Sequence, residues 1–140
     1  MSTTFAAVLF AVLAAVSYAL LGFFSKLATR EGVQPIPLAF FSTVVNLAVI
    51  AVCFGVTRGA ALPAGRALLY VAAAGLAGAG GMVFFARAIR DGDIALVVPI
   101  CGAYPAIAVL LGAVFLRETL SPTRALGVLL VVGGVFLVTR

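Results

Sequence analysis

The stretch from Asp93 to Arg124 reads DIALVVPICGAYPAIAVLLGAVFLRETLSPTR and decides how the chain folds. Most of it is apolar enough for a membrane-spanning helix, yet Pro99 and Pro105 interrupt that helix. Cys101 and Tyr104 lie between the two prolines. A proline inside a helix removes a backbone donor and clashes with the preceding turn, so a soluble helix rarely tolerates two of them. Membrane bundles tolerate such breaks where neighbouring helices satisfy the freed backbone groups, so this stretch predicts a broken membrane helix.

A charged corner, Arg117 and Glu118, ends the apolar run of this stretch. Ser121 followed by Pro122 is a helix-start signal, with serine as N-cap and proline at the first helical position. Glu118 can lie near the positive end of the new helix and near Arg124. We interpret Glu118, Ser121 and Arg124 as a structural corner that turns the chain, and not as a ligand site.

The composition of the whole chain places it in a membrane. Of the 140 residues, 65% are hydrophobic and 9% are charged, whereas a soluble domain has about 25% charged residues. A soluble fold of this size still exposes about 30% of its chain surface, so it could not hide this much apolar area. The first apolar run is too long for a signal peptide and lacks a basic start, so we expect no cleaved leader.

The charged and metal-ligating residues exclude several classes of function. The nine basic residues stand singly or in pairs between apolar runs, which is typical of cationic helix ends at a membrane surface and not of a nucleic-acid interface. Histidine is absent, and Cys53 and Cys101 both lie in apolar runs, so a zinc site or a disulfide framework is not expected. The acidic residues fall near helix ends or in loops. We therefore predict no enzyme, no metal and no cofactor.

Five segments are long and apolar enough to span a bilayer, which requires about 20 mostly apolar residues. The sequence thus predicts an all-α membrane protein, a single transmembrane domain over residues 1–140 that forms a bundle of five helices. Short loops join the segments, so consecutive helices should be antiparallel neighbours. The predicted spans cover residues 5–27, 37–56, 66–88, 94–116 and 122–138.

The basic residues are almost evenly divided between the two ends of these spans, with four on the side of the N-terminus and five on the other. The first group is Arg58, Arg66, Arg117 and Arg124; the second is Lys26, Arg30, Arg87, Arg90 and Arg140. A Lys/Arg bias normally sets the orientation of a membrane protein. The balance is consistent either with dual topology, in which copies insert both ways and pair antiparallel, or with a fixed orientation decided by finer details.

Neutral polar residues near mid-membrane are the candidate substrate pathway. Ionisable residues at mid-depth usually mark a transport route, but the predicted spans carry none there, and Lys26 and Arg87 are close enough to helix ends to reach the interface. A broken helix near the midplane offers free backbone groups to a ligand. The pathway residues that we predict are Tyr18, Asn46, Pro99, Cys101, Tyr104 and Pro105. The alternative for Asn46 is a hydrogen bond between helices, and for Tyr18 simple packing.

The last part of the chain, FFARAIRDGDIALVVPICGAYPAIAVLLGAVFLRETLSPTRALGVLLVVGGVFLV, resembles the second half of an EamA domain of the drug/metabolite transporter superfamily. The shared features are an aromatic-plus-alanine end to the third span, a small-residue turn, Pro99 and Pro105, and the Leu116-x-Glu118 corner. A fifth span that opens Gly127-x-x-Leu130 follows. The earlier spans agree mainly in number and length, with Lys26 closing the first.

The resemblance implies a five-helix unit that works with a second unit in inverted orientation around a central substrate cavity, by alternating access. A second copy of the chain or a paralogous half-transporter would supply that unit, and an antiparallel homodimer agrees with the balanced charges. The chain departs from the family pattern at Arg117, where glycine commonly precedes the glutamate. It also lacks the first-helix glutamate of the small multidrug resistance relatives, so their proton exchange is not expected here.

We therefore predict a multi-pass transporter of small metabolites or drug-like solutes in the cytoplasmic (inner) cell membrane. Its expected partners are the lipid bilayer, a second half-transporter and a small-molecule substrate, with no nucleic acid. The alternative is a non-transporting membrane subunit, or a packing partner in a larger membrane complex. The neutral polar residues at mid-depth separate the two hypotheses, because a pure packing module would not need them.

Overall fold

A computed structural model of the chain describes residues 3–57 and 62–140. In these residues the regular structure is entirely helical, so the prediction of an all-α membrane protein is confirmed. Among the described residues, four apolar segments are long enough to cross a membrane, the fourth being α4 and α5 together. α6 has 17 residues, near the lower end of the spanning range of about 17–25. The helices are α1 (Thr3–Arg30), α2 (Pro35–Val56), α3 (Arg66–Asp91), α4 (Ile94–Gly102), α5 (Tyr104–Phe115) and α6 (Pro122–Val138).

Four helix ends extend beyond the predicted spans, one of them the start of α1 at Thr3 instead of residue 5. α1 continues to Arg30 and α3 to Asp91, because polar residues in a last helical turn can reach the membrane surface without unwinding the backbone. α2 begins at Pro35 instead of residue 37. Proline is favourable in a first turn, since its missing N–H would have no partner there. Arg58 lies outside the described residues.

The chain divides into two compact units, which we name for their place in the sequence: the middle unit, Phe23–Asp91, and the end unit, Met1–Gly22 with Gly92–Arg140. In the middle unit the buried residues lie where α1 ends, α2 begins and α3 ends. They are Ser25, Pro35, Ala39, Ala86 and Ile89. Four of the five are small, and small residues let helix backbones approach closely in lipid, as α2 and α3 do here. We call this cluster the packed end of the middle unit.

Two polar contacts stabilise the packed end. The Lys26 ammonium group donates a hydrogen bond of 2.9 Å to the carbonyl of Ile89 in the last turn of α3. That carbonyl belongs to a helix C-terminus, where the last four carbonyls lack helical partners and the helix dipole is negative. The Arg90 guanidinium donates to the side-chain oxygen of Gln34, the residue before α2. Lys26 therefore ties α1 to α3, and Arg90 ties α3 to α2.

In the end unit, α4, α5 and α6 pack against one another. The residues buried there are few and small, among them Val97 on α4 and Ala106 and Gly112 on α5. α6 has no buried residue in the described part of the chain. Large apolar side chains such as Phe115 (76% exposed) and Leu137 (74%) face outwards. Surfaces of this kind are suited to contact with lipid or with another apolar surface, and not with water.

The corner between α5 and α6 has the helix start that Ser121 and Pro122 predict. The backbone N–H of Arg124 donates to the Ser121 hydroxyl at 3.4 Å, and Pro122 occupies the first turn of α6. On the other side of the corner, the Gly112 carbonyl accepts from the amides of both Leu116 and Glu118, at 3.0 and 3.2 Å. The end of α5 and the start of α6 are thus both capped within the chain.

Arg117 takes a left-handed backbone conformation at this corner, with φ of 56°. A side chain in this region brings its Cβ close to the backbone and costs about 1–2 kcal/mol, a penalty that glycine avoids. The residue stands where the resembled family commonly has glycine. The corner therefore has a backbone conformation that favours glycine, although the residue in that conformation is an arginine.

Replacing Arg117 with glycine should stabilise the protein. We expect Arg117→Gly to raise the free energy of unfolding by about 0.5–1 kcal/mol. The strain that glycine removes from the left-handed backbone of the folded protein is larger than the cost of the extra conformational entropy that glycine gives the unfolded chain. A β-branched residue should lower the free energy of unfolding, since it fits the left-handed region worst. SDS titration of Arg117→Gly and Arg117→Val in mixed micelles, followed by circular dichroism, measures both. Equal midpoints for the two variants would contradict the assigned backbone conformation.

Candidate functional site

The fourth predicted span is broken at one point, Ala103, between α4 and α5. The N–H of Ala103 donates to the Ile100 carbonyl at 3.2 Å, and the N–H of Ala106 donates to the Ala103 carbonyl at 3.0 Å. Both bonds join residues three apart, so the chain tightens into 3₁₀-like turns here. Pro105 lies in the first turn of α5 and cannot give Cys101 the N–H that a regular helix would supply. The N–H of Ala103 is directed to the Cys101 carbonyl as well, so the break replaces regular helical hydrogen bonds with those of a tight turn in the middle of an apolar span.

Pro99 does not break its helix, contrary to the expectation that both prolines interrupt the span. It lies inside α4, which continues for three more residues to Gly102. A helical proline removes one hydrogen bond, here the one to the carbonyl of Ala95. α4 packs against α5 and α6, and such contacts can offset the loss of one helical hydrogen bond. The span is interrupted at Ala103 instead, immediately before Tyr104 and Pro105.

The predicted pathway residues are distributed over both units. Cys101 and Tyr104 flank the break, and Tyr104 is 60% exposed. Tyr18 lies on the α1 part of the same unit and is 61% exposed. Asn46 lies on α2 of the middle unit and is also exposed. Their polar groups form no hydrogen bond with any residue that the structure describes, so an interhelical hydrogen bond of Asn46 within the described chain is not observed.

A cavity of about 360 Å³ lies in the end unit between α5, the corner and α6. It is within the size range of small-molecule pockets, which begins at about 300 Å³. The α5 side is formed by Pro105, Ala106 and Val109, and the α6 side is formed by Gly127, Val128 and Val131. Thr119 and Leu120 of the corner complete the neutral part of the lining. The cavity therefore extends along α5 from the helix break to the corner.

Glu118 and Arg124 add two opposite charges to the wall of this cavity. The Glu118 carboxylate lies over α5, since a Cβ atom added at the buried Gly112 would be 3.3 Å from Oε2. Arg124 belongs to the first turn of α6. Within the described residues, neither side chain forms an ion pair, with the other or with a third residue. Two unpaired charges on mainly apolar walls form a site that could hold a small polar ligand.

Sequence reasoning grouped Glu118 and Arg124 with the corner and did not identify the cavity that they line. Gly112 was missed as well, although it allows the carboxylate to approach α5. The only signal for Gly112 in the sequence was its position six residues before Glu118. This signal is weak, because glycines are common in membrane helices. In the described part of the chain, no group of three or more histidine, cysteine, aspartate or glutamate side chains could hold a metal ion.

Comparison with known proteins identifies the family of the chain. Residues 5–140 match the EamA-like transporter family. No match was found among curated proteins or among solved structures. The family assignment covers nearly the entire described chain, including the break, the corner and the cavity. The chain therefore belongs to the EamA-like transporter family, within the drug/metabolite transporter superfamily.

Proposed function

We propose that the protein transports small metabolites or drug-like solutes across the cytoplasmic membrane by alternating access. The observation that carries the proposal is the match of residues 5–140 to the EamA-like transporter family. The helix break at Ala103 supports it, because broken helices at mid-membrane form the binding sites of many transporters. The apolar helices make this a multi-pass membrane protein.

The proposed pathway contains Tyr18, Asn46, Cys101 and Tyr104, with Pro99 and Pro105 shaping the backbone beside it. Unpartnered polar groups in an apolar span are costly unless another helix, water or a ligand satisfies them. Asn46 and Tyr104 have no such partner among the described residues. A substrate in the pathway would satisfy them, which is the physical reason for assigning them this role.

A second five-helix unit completes the substrate cavity in this proposal, and we place it in a second copy of the chain. Most of the large apolar side chains on α1 to α3 are exposed, as illustrated by Leu76 (76% exposed) and Leu47 (66%). Such surfaces can pack against another unit as well as against lipid. The four-to-five division of basic residues between the two membrane sides supports opposite insertion of the two copies.

Removing the proposed pathway side chains should abolish most of the transport. We expect Tyr104→Ala and Asn46→Ala each to lower the uptake rate into proteoliposomes by about tenfold or more, because each removes a polar contact that is buried in the substrate complex. The substrate used would be the metabolite that most raises the melting temperature of the purified protein in a panel.

Tyr70→Ala is the matched control, because Tyr70 lies near the start of α3 and outside the proposed pathway. It should transport at the rate of the unchanged protein. Full transport by both Tyr104→Ala and Asn46→Ala would refute the site assignment. No stabilisation by any compound in the panel would favour the alternative, a membrane subunit that does not transport.

Dual topology should be visible as labelling from both sides of the membrane. Glu31 follows α1 and Arg66 begins α3, so a single span, α2, separates them. We expect cysteines introduced as Glu31→Cys and Arg66→Cys to react partly with a membrane-impermeant maleimide from outside, in about equal fractions, if copies insert both ways. Complete labelling of one variant and none of the other would establish a single orientation and exclude the antiparallel homodimer.

A further inference from the structure

Two arginines near the end of α3 have no role in the proposed pathway. Arg87 and Arg90 are both exposed and stand three residues apart, so they project from the same side of the helix. Arg90 donates to Gln34, the residue before α2. Arg87 forms no hydrogen bond or ion pair with any residue that the structure describes. A cation beside an apolar span is costly unless it reaches the membrane surface or pairs with an anion.

The helix end alone does not account for both arginines. The helix dipole favours a cation in the last turn, and Arg90 is the basic residue of that turn. Arg87 lies nearly one turn further from the end. Asp91 follows Arg87 by four residues, the spacing of a helical ion pair, but in the described chain the two side chains do not pair. The Arg87 guanidinium is therefore available to an anion from outside the chain.

An apolar surface continues from Arg87 towards the middle of α3. Val83, Gly80 and Leu76 precede Arg87 at intervals of four, three and four residues, which places them on the same side of the helix. Leu76 is 76% exposed, and a Cβ atom added at Gly80 would have no neighbour within 4 Å. We call these three residues, with Arg87 and Arg90, the α3 strip.

The length of the α3 strip corresponds to one leaflet of a bilayer. From Arg87 to Leu76 the helix rises by about 16 Å, at about 1.5 Å per residue. Half of the hydrocarbon core of a bilayer is about 15 Å thick. The strip therefore presents two cations at one end and an open apolar surface over the depth that an acyl chain occupies.

We propose that the α3 strip binds an anionic phospholipid, with Arg87 and Arg90 on its phosphate and the apolar residues along an acyl chain. A guanidinium presents parallel N–H donors that match phosphate oxygens. Arg90 uses one terminal nitrogen, Nη1, for Gln34, and its other nitrogens can still donate. The net charge of +5 also favours an anionic lipid over a zwitterionic one. A free phosphate would make no use of the apolar part of the strip.

The first test compares two lipids that have the same acyl chains. The purified protein in a neutral detergent is titrated with dioleoylphosphatidylglycerol or dioleoylphosphatidylcholine, and native mass spectrometry gives the two dissociation constants. Phosphatidylglycerol should bind about tenfold more tightly, because each arginine beside an anionic headgroup contributes up to about fivefold. Glycerol 1-phosphate, which has the phosphate but no acyl chain, should displace no more of this lipid than chloride does at the same ionic strength.

Four variants assign the phosphate to the arginines of the α3 strip. Arg87→Gln should weaken phosphatidylglycerol binding about fivefold and leave phosphatidylcholine binding unchanged. Arg87→Lys keeps the charge without the paired donors, and should fall between Arg87→Gln and the unchanged protein. Asp91→Asn removes a neighbouring anion and should strengthen phosphatidylglycerol binding. Arg30→Gln is the matched control, since Arg30 is an exposed cation in the last turn of α1, and it should keep the full preference.

The unchanged protein alone can overturn the proposal, even if a variant fails to fold. Equal affinity for the two lipids would refute it. Displacement of the lipid by glycerol 1-phosphate beyond the effect of chloride would show a site for soluble phosphates instead. Equal losses for Arg87→Gln and Arg30→Gln would indicate a general attraction to a cationic protein and would contradict the assigned site. Lipid binding is measured without transport, so either result leaves the proposed function unaffected.

Discussion

Replacing Ile89 with alanine is expected to destabilise the protein by about 2–5 kcal/mol, the largest effect among the substitutions considered. Ile89 is fully buried, with no part of it exposed, at the packed end of the middle unit. Truncation leaves a cavity between helices that are held together by close packing in lipid and not by exclusion of water. Because the surrounding residues are small and the helix ends are tied by polar contacts, the site has little freedom to collapse.

Ile100 provides the matched control for this substitution. It is 44% exposed on α4, so Ile100→Ala should change the free energy of unfolding by no more than about 0.5 kcal/mol. SDS titration of both variants in mixed micelles, followed by circular dichroism, compares them directly. Ile89→Val should fall between the two, at about 0.5–1.5 kcal/mol. Equal losses for Ile89→Ala and Ile100→Ala would contradict the buried position of Ile89.

Replacing Lys26 with methionine is expected to have the second-largest effect, a loss of about 1.5–3 kcal/mol. The methionine side chain has a similar length but cannot donate, so the 2.9 Å hydrogen bond from Lys26 to the Ile89 carbonyl disappears. Hydrogen bonds that involve a charged group are worth about 1.5–3 kcal/mol, and the Ile89 carbonyl, which belongs to a fully buried residue, loses a partner when Lys26 is replaced. The end of α1 would also lose its tie to α3.

Two further variants separate this contact from the general effect of a cation near the membrane surface. Lys26→Arg retains the charge and a donor, and should retain most of the stability. Arg30→Met removes an exposed cation from the last turn of the same helix, and should cost no more than about 0.5–1 kcal/mol. Unfolding midpoints in SDS measure all three. A larger loss for Arg30→Met than for Lys26→Met would show that the contact with Ile89 does not stabilise the packed end.

These two residues give the middle unit a stable end where three helix termini meet. Ala39 and Ala86 are small and buried where α2 and α3 pack together, and Lys26 of α1 reaches the last turn of α3. Alternating access requires elements that move together as well as elements that bend. We therefore expect the packed end to behave as a rigid element, and the break at Ala103 in the end unit to be a place where the backbone can bend.

Most of the fold could be predicted from the sequence, because the rules that govern a membrane helix are local. In lipid every backbone polar group needs an internal partner, so an apolar run of about 20 residues has to become a helix. The start of α6 could also be predicted from the local sequence, because Ser121 provides the N-cap and Pro122 lies in the first turn. The left-handed conformation of Arg117 had only an indirect signal, the glycine that the family commonly has at this position.

The candidate site was only partly predictable. The sequence predicted that both Pro99 and Pro105 interrupt the span, but α4 continues through Pro99 and the break lies at Ala103, before Pro105. The local rule is the same for both prolines, so the contacts made by the helix decide which of them interrupts it. Glu118 and Arg124 were expected to lie close together at the corner, and the structure places both on the wall of one cavity.

By itself the sequence determined that the protein is an all-α membrane protein, and which serine starts the last helix. The tertiary structure alone decided which small residues form the packed end, that Lys26 reaches Ile89, and that Gly112 lets Glu118 lie against α5. The reason is that lipid is as apolar as the side chains, so a membrane helix is apolar all round and its sequence hardly distinguishes the face that packs from the face that meets lipid. Only the fit of particular side chains on different helices makes that choice.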